Sequence, residues 1–254
     1  MILDRFRLDR RIALVTGGTR GLGQAMAIGL AEAGADIALL SKTAAGETAE
    51  TLRRMGRRCL VLALDLSCAS RADLEGAVDE VVSELGGLDI LVNNAGIIRR
   101  ASALEFSEED WNEVLQVNLH SLFFLSQAAA KRMVSRGGGK IVNVASVLSF
   151  QGGILVSAYA AAKSGVAGLT RALANEWAAK NVNVNAIAPG YMATDNTAAL
   201  RADPMRNQAI LDRIPARRWG AVDDLKGAVV FLASSASDYM HGAVVPVDGG
   251  WLSR

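Results

Sequence analysis

Seven short apolar runs, at residues 12–16, 36–40, 59–64, 88–93, 140–144, 182–187 and 243–247, recur along the chain with longer stretches of helical spacing between them. No other feature limits the fold as much. The runs are almost wholly apolar, where a strand with one wet face would alternate, so each is expected to be covered by helices on both sides of a parallel sheet. The intervening stretches 21–33, 44–55, 70–85, 107–136, 157–180 and 223–234 carry few helix breakers. Strand and helix in alternation predict a doubly wound α/β fold with a seven-stranded parallel sheet. A length of 254 residues without a linker or internal repeat predicts one domain over 1–254. Segment 191–218 fits the alternation poorly. It follows Pro189-Gly190, carries Pro204 and Pro215, and reads as an insertion with one helix. Such insertions lie over the carboxyl ends of the strands, where ligands bind, so it is a lid candidate.

Composition removes several function classes. Lysine and arginine number 27 against 26 aspartates and glutamates, a net charge of +1, which gives no field to hold nucleic acid or an anionic membrane. The longest apolar runs, such as 59–64 and 228–233, are too short to span a bilayer. Two isolated cysteines, Cys59 and Cys68, and two histidines, His120 and His241, make no ligand cluster, so no metal is expected. The charged opening MILDRFRLDRR is unlike a secretory signal, and with so few cysteines it points to a reducing cytoplasm.

The first run ends in Thr16-Gly17-Gly18-Thr19-Arg20-Gly21-Leu22-Gly23, and a helix follows. A glycine turn between strand and helix lets the backbone approach a pyrophosphate, whose oxygens the free N–H groups of the helix start can bind. Gly17, Thr19, Arg20, Gly21, Leu22 and Gly23 are therefore expected to hold a dinucleotide in a Rossmann-type arrangement. Asp65-Leu66, at the end of the third run, is placed to set a carboxylate near an adenine amino group. A loop acid capping the next helix is the plain alternative for Asp65. Asn93, Ala95 and Gly96 end the fourth run at the expected switch point of the sheet. An acid closing the second run would bond the ribose 2′-OH of NAD, and a base would accept the 2′-phosphate of NADP. Here the run closes on Ser41-Lys42, and with Arg20 nearby the local charge leans toward NADP.

Ser146 closes the fifth run, and Tyr159-Ala-Ala-Ala-Lys163 follows on a helix, where i, i+4 spacing sets phenol and ammonium on one face. A neighbouring cation favours phenolate and is expected to bring the pKa of Tyr159 down from about 10 toward the range of a general acid or base. Ser146 would hold the substrate oxygen while Tyr159 moves its proton. Asn118 lies mid-helix, an unfavourable place for asparagine, and would anchor a water relaying protons from Lys163. Singly, each residue has a plain reading: a capping serine, or a partly exposed Tyr–Lys pair. Joined to the glycine loop they make a constellation for moving a hydride and a proton.

In residues 16–23, Asp65, 93–96, Asn118, Ser146, Tyr159, Lys163, Pro189-Gly190 and Thr194, the chain resembles the short-chain dehydrogenase/reductase family over nearly its whole length. The resemblance implies the strand order 3-2-1-4-5-6-7 and a homotetramer in which two long helices pair between subunits. It also implies that Lys163 bonds the nicotinamide ribose and that Pro189, Gly190 and Thr194 border the nicotinamide. Stretches 98–100, 103–107, 148–153, 188–194 and 213–220 are similar to those of members acting on hexonate sugar acids. Such substrates include 2-dehydro-3-deoxy-D-gluconate and 2-deoxy-D-gluconate, met in uronate and pectin breakdown, generally with NAD. These stretches set Gln151 and Met192 on the substrate side. Since local charge at Arg20 and Lys42 points the other way, the coenzyme is left as NAD or NADP.

A hexonate carries a carboxylate, and Arg99 and Arg100 leave the fourth run at the carboxyl edge of the sheet as its expected clamp. Arg201, Arg217 and Arg218 in the insertion are substitutes, and solvated or intersubunit ion pairs are the plain alternative for Arg99 and Arg100. Two other functions share this fold. One is a 3-oxoacyl-carrier-protein reductase with the same catalytic set; the other is a non-catalytic dinucleotide sensor or scaffold, against which the intact Asn118, Ser146, Tyr159 and Lys163 count.

Overall fold

The computed structural model describes residues 1–43 and 46–254. The strands are β1 (Ile12–Thr16), β2 (Asp36–Ser41), β3 (Cys59–Ala63), β4 (Ile90–Asn93), β5 (Gly139–Val144), β6 (Val182–Pro189) and β7 (Val244–Val247). They form one seven-stranded sheet in the order β3-β2-β1-β4-β5-β6-β7, every pairing parallel. This is the order that the resemblance implies, and its reversal between β1 and β4 opens a crevice at their carboxyl ends. The helices are α1 (Gly21–Glu32), α2 (Gly46–Arg54), α3 (Arg71–Leu85), α4 (Glu108–Leu115), α5 (Ser121–Ser135), α6 (Ser157–Trp177), α7 (Ala198–Ala202), α8 (Pro204–Arg213) and α9 (Lys226–Ala233).

Side chains alternate across the pleat, so each strand feeds two cores. On one face Ala13, Val15, Ile37, Leu39 and Val92 pack with Met26 and Leu30 of α1, Leu52 of α2 and Val229 and Leu232 of α9. On the other, Leu14, Leu40, Leu91, Ile141 and Val184 meet Leu74 and Val78 of α3, Leu125 and Met133 of α5 and Leu173 of α6. Burial of one such Leu, Ile or Val side chain contributes about 1.5–3 kcal/mol. Helix cover on both faces is why the strand sequences show no polar alternation.

The predicted helix 107–136 is α4 and α5 joined by a π-helical turn at Gln116–His120. Ser107 and Ser70 lie just outside α4 and α3 as N-caps, accepting from the N–H groups of Asp110 and Asp73. Of the predicted helix 44–55, residues Gly46–Arg54 form α2, and Ala44 and Ala45 fall outside the described residues. The segment 191–218 holds two helices, α7 and α8, instead of the one expected. Asp203 accepts from the N–H groups of Met205 and Arg206, and Pro204 takes the first turn of α8, where its missing N–H has no bond to lose. The proline that stops one helix thus starts the next. Among the described residues, no helix is long and apolar enough to cross a membrane.

Candidate active site

Gly17 turns the chain at φ +63, and its N–H donates to the Leu40 carbonyl at 2.8 Å. A Cβ on Gly23 would lie 2.2 Å from the Gly17 carbonyl oxygen, so the start of α1 packs onto the turn only as glycine. Helix α1 has no side-chain N-cap, which leaves the N–H groups of Gly21, Leu22 and Gly23 without intrahelical partners. These residues, with Thr19 and Arg20, line a cleft of about 450 Å³, and such a helix start suits a phosphate.

Asn94 bolts the loop in place. Its Nδ2 donates to the carbonyls of Thr16 (2.9 Å) and Gly17 (3.2 Å), while Thr16 Oγ1 accepts from the N–H groups of Asn94 (3.0 Å) and Ala95 (2.9 Å). The sequence assigns Asn93, Ala95 and Gly96 to the cofactor and holds Asn94 only as part of the 93–96 motif. Ala95 and Gly96 do line the cleft, but Asn93 turns into the core, where its Nδ2 donates to Ser126 Oγ and Asn143 Oδ1, both at 2.9 Å. Neighbouring residues face opposite ways on leaving a strand, so Asn93 serves the core and Asn94 the glycine loop.

At the ends of β2 and β3 the wall is polar. The Ser41 hydroxyl lies 3.3 Å from Thr19 Oγ1 and accepts from the Thr43 N–H at 3.3 Å. Lys42 Nζ sits 2.6 Å from Asp65 Oδ2. Asp65 also accepts from the N–H (3.0 Å) and hydroxyl (2.7 Å) of Ser67; it closes a local turn, and Ser70 caps α3. Lys42 and then Ser67 hold the Asp65 carboxyl down at about 2. Leu66 lines the cleft beside it, and its carbonyl accepts from Ser121 Oγ at 3.2 Å. Arg20 meets Asp195 at 3.1 Å. Both bases read as phosphate acceptors therefore face an acid already. Thr43, Ser67, Asp195 and Asn196 also line the cleft and were not foreseen.

Tyr159 and Lys163 line the same cleft, Ser146 bonds to the Tyr159 phenol, and Asn118 lies against Gly96 of its wall. Asn118, 1% exposed, sits in the π turn; its Nδ2 donates to the Ile97 carbonyl (2.9 Å) and its Oδ1 accepts from the Ile97 N–H (2.8 Å). The widened turn thus aims this amide at the loop after β4, where its bonds go to backbone. A Cβ on Gly96 would lie 3.1 Å from Asn118 Oδ1 and 3.7 Å from Lys163 Nζ, so glycine lets the three meet. Lys163 is 3% exposed, donates from Nζ to the Val144 carbonyl at 2.6 Å, and stands 5.6 Å from the centre of the Tyr159 ring. Ser146 follows β5, its Oγ accepting from the Leu148 N–H at 3.1 Å. Ser149 Oγ donates to the Lys163 carbonyl at 2.6 Å and ties this loop to α6.

Burial pushes the Lys163 ammonium down to about 8. Burial also raises the Tyr159 phenol, opposed by its hydrogen bond with Ser146 and by the charge of Arg100. The expectation that a helical cation brings the phenol down is thereby corrected. Removing the phenol from water outweighs both its hydrogen bond with Ser146 and the charge of Arg100.

The remaining residues divide. Pro189 pairs with Val247, the Gly190 N–H donates to the Val247 carbonyl at 3.0 Å, and the chain then reaches Thr194 at the cleft wall. Met192 is 4% exposed, packs in the core on the α1 side of the sheet, and is not among the residues lining the cleft. Gln151 Oε1 accepts from Arg213 at 3.0 Å, outside the cleft lining. Arg99 borders the cleft, but Asp110 (3.2 Å) and Glu113 (2.7 Å) hold its guanidinium. Arg100 donates to the Asn196 carbonyl at 3.2 Å and Arg201 to the Thr194 carbonyl at 3.1 Å. Arg217 and Arg218 pair with Asp212 (3.4 Å) and Asp224 (2.6 Å).

A sequence model of the short chain dehydrogenase family matches residues 11–205. The chain is 58% identical to the 2-dehydro-3-deoxy-D-gluconate 5-dehydrogenase of Escherichia coli (strain K12), over 100% of both proteins. Against the Bacillus subtilis (strain 168) protein of that name it is 53% identical, over 99% of this chain and 98% of the relative. The crystal structure of a gluconate 5-dehydrogenase from Burkholderia cenocepacia J2315, in complex with NADP and tartrate, matches with a TM-score of 0.95 at 42% identity over 100% of each chain. An Agrobacterium tumefaciens protein, provisionally named a 2-deoxy-D-gluconate 3-dehydrogenase and solved with NADP, matches with a TM-score of 0.92 at 57% identity over 98% of this chain and 99% of that one. On a fold and a cleft that the residues build by themselves, matches of this extent establish that the chain belongs to the short chain dehydrogenase family.

Proposed function

We propose that the protein is an NAD(P)-dependent oxidoreductase that interconverts a ketone and a secondary alcohol on a hexonate sugar acid, with 2-dehydro-3-deoxy-D-gluconate the leading substrate. The observation that carries this reading is the 58% identity, over full length, to a relative of that name. The cleft suits the dinucleotide: the uncapped start of α1 would hold the pyrophosphate, and the Gly17–Gly23 contact leaves no side chain in its way. When bound, its nicotinamide gives or takes the hydride.

The chain's own residues do the rest. Ser146 orients the substrate oxygen by a hydrogen bond. Tyr159 donates its phenolic proton to that oxygen in reduction and accepts it in oxidation. Lys163, its Nζ 5.6 Å from the centre of the Tyr159 ring, would bond the nicotinamide ribose, and Pro189, Gly190 and Thr194 would border the nicotinamide ring. Asn118 fixes Ile97, and with it the loop that carries Gly96 and Arg100. Arg100 takes the substrate carboxylate by giving up the Asn196 carbonyl, which Arg99 cannot do while held by two acids. The segment 191–218 acts as the lid. The same reading makes the protein a cytoplasmic homotetramer that pairs through α6 and serves uronate and pectin breakdown.

Absorbance of the reduced nicotinamide, followed with sugar acids, neutral sugars and a 3-oxoacyl thioester, tests the proposal. Turnover on sugar acids, with little on the others, is expected. Turnover on the thioester alone would make the protein an acyl reductase, and nucleotide binding without any turnover would make it a sensor.

A further inference from the structure

We propose that Asp65 sets the coenzyme preference of the cleft by competing with a 2′-phosphate for Lys42. The inference rests on the dinucleotide reading above and deepens it.

The two residues meet because of strand register. Ser41 pairs with Ala63, and the Leu64 N–H donates to the Ser41 carbonyl at 3.1 Å, so the segments leaving β2 and β3 run side by side. The resulting ion pair, at 2.6 Å, is unequal. Asp65 has a side chain 30% exposed and is pinned by two hydrogen bonds from Ser67, whereas Lys42 is 71% exposed on a flexible stem. The carboxylate is the fixed member and the ammonium the mobile one.

A carboxylate closing β2 would read the ribose directly, as hydrogen-bond acceptor for a 2′-OH and as a repulsive charge for a 2′-phosphate. That position is Ser41, whose hydroxyl clusters with Thr19 and Thr43. The acid comes from the end of β3 instead and acts through the lysine. While paired with Asp65, Lys42 brings little net charge to the ribose pocket, which suits a 2′-OH. To meet a 2′-phosphate it must leave a fixed partner, and that cost falls on NADP alone. The other base of the region, Arg20, differs in kind. Its partner Asp195 is as exposed as it is, 81% against 79%, so nothing holds that pair against a competing phosphate.

The test is equilibrium binding of NADH and NADPH, read by nucleotide fluorescence, in the unaltered protein, Asp65→Asn, Lys42→Met and the double variant. Asparagine keeps an oxygen for Ser67 and removes only the charge. Asp65→Asn is expected to shift the ratio of the two dissociation constants toward NADPH by about fivefold, the upper range for an exposed ion pair. On the Lys42→Met background the same change is expected to move the ratio by less than about half as much. An unchanged ratio in Asp65→Asn would overturn the proposal. So would an equal shift without Lys42, which would mean that Asp65 acts on the phosphate directly. Failure of the unaltered protein to bind either nucleotide would overturn the dinucleotide reading, and this inference with it.

Discussion

Replacing Lys163 should separate what the fold prefers from what the chemistry requires. The ammonium is 3% exposed, and burial holds it at about 8 against an ordinary 10.5. Below pH 8 the folded protein carries this charge away from water, and the unfolded chain carries it in water. Between 8 and 10.5 the unfolded chain keeps a proton that the folded one has released, so stability rises with pH across that window. A depression of this size amounts to about 3 kcal/mol at neutral pH, of which roughly 2 kcal/mol is relieved by about pH 9.5. Lys163→Met abolishes the titration, along with the hydrogen bond to Val144. Parent and variant are best compared on a Tyr159→Phe background, which removes the titration of the adjacent phenol. In thermal denaturation followed by circular dichroism, the midpoint of the variant minus that of the parent should fall by roughly 4–8 °C from pH 7 to pH 9.5, at about 2–4 °C per kcal/mol for a chain of this size. A difference that stays constant or grows over that interval would refute the burial of a depressed ammonium at Lys163.

Other variants probe the loop and the substrate clamp. In Gly23→Ala the new Cβ would meet Gly17 O at 2.2 Å and Asn94 Nδ2 at 2.4 Å, so the glycine loop must move. Both melting temperature and nucleotide affinity should drop, with a stability loss of about 1–3 kcal/mol; unaltered affinity would show that the packing of α1 on the turn does not shape the site. Arg100→Ala should lower kcat/KM for a sugar acid by roughly tenfold or more and leave a neutral analogue little changed. Arg99→Ala, which loses exposed pairs with Asp110 and Glu113, should cost at most about 1 kcal/mol of stability and spare the preference for the acid. Equal effects of the two changes on that preference would contradict the division drawn between them.

The sheet was legible because burial on both faces leaves a plain trace in sequence. All seven strands fall within the predicted runs or differ from them by a residue or two at an end, as where β6 continues to Pro189. The glycine loop and Tyr159–Lys163 were legible because strand–turn–helix order and i, i+4 spacing are local. What sequence could not carry was pairing across the fold. Arg99 and Arg100 are adjacent and alike, and only the position of α4 decides that acids hold one of them. Lys42 and Arg20 read as free bases until register and the 194–197 turn bring Asp65 and Asp195 to them. The direction of the Tyr159 shift was missed for the same reason, since burial is a property of the packed whole.

The central claim is that Tyr159 moves the proton in a dinucleotide-dependent reaction on a hexonate. Steady-state turnover of 2-dehydro-3-deoxy-D-gluconate by the Tyr159→Phe variant, with nucleotide binding measured on the same samples, tests it most directly. The account predicts a loss of about 10²–10⁴-fold in kcat with nucleotide affinity retained, because one proton-carrying oxygen is removed and little volume. Turnover within a few-fold of the unaltered protein would contradict it.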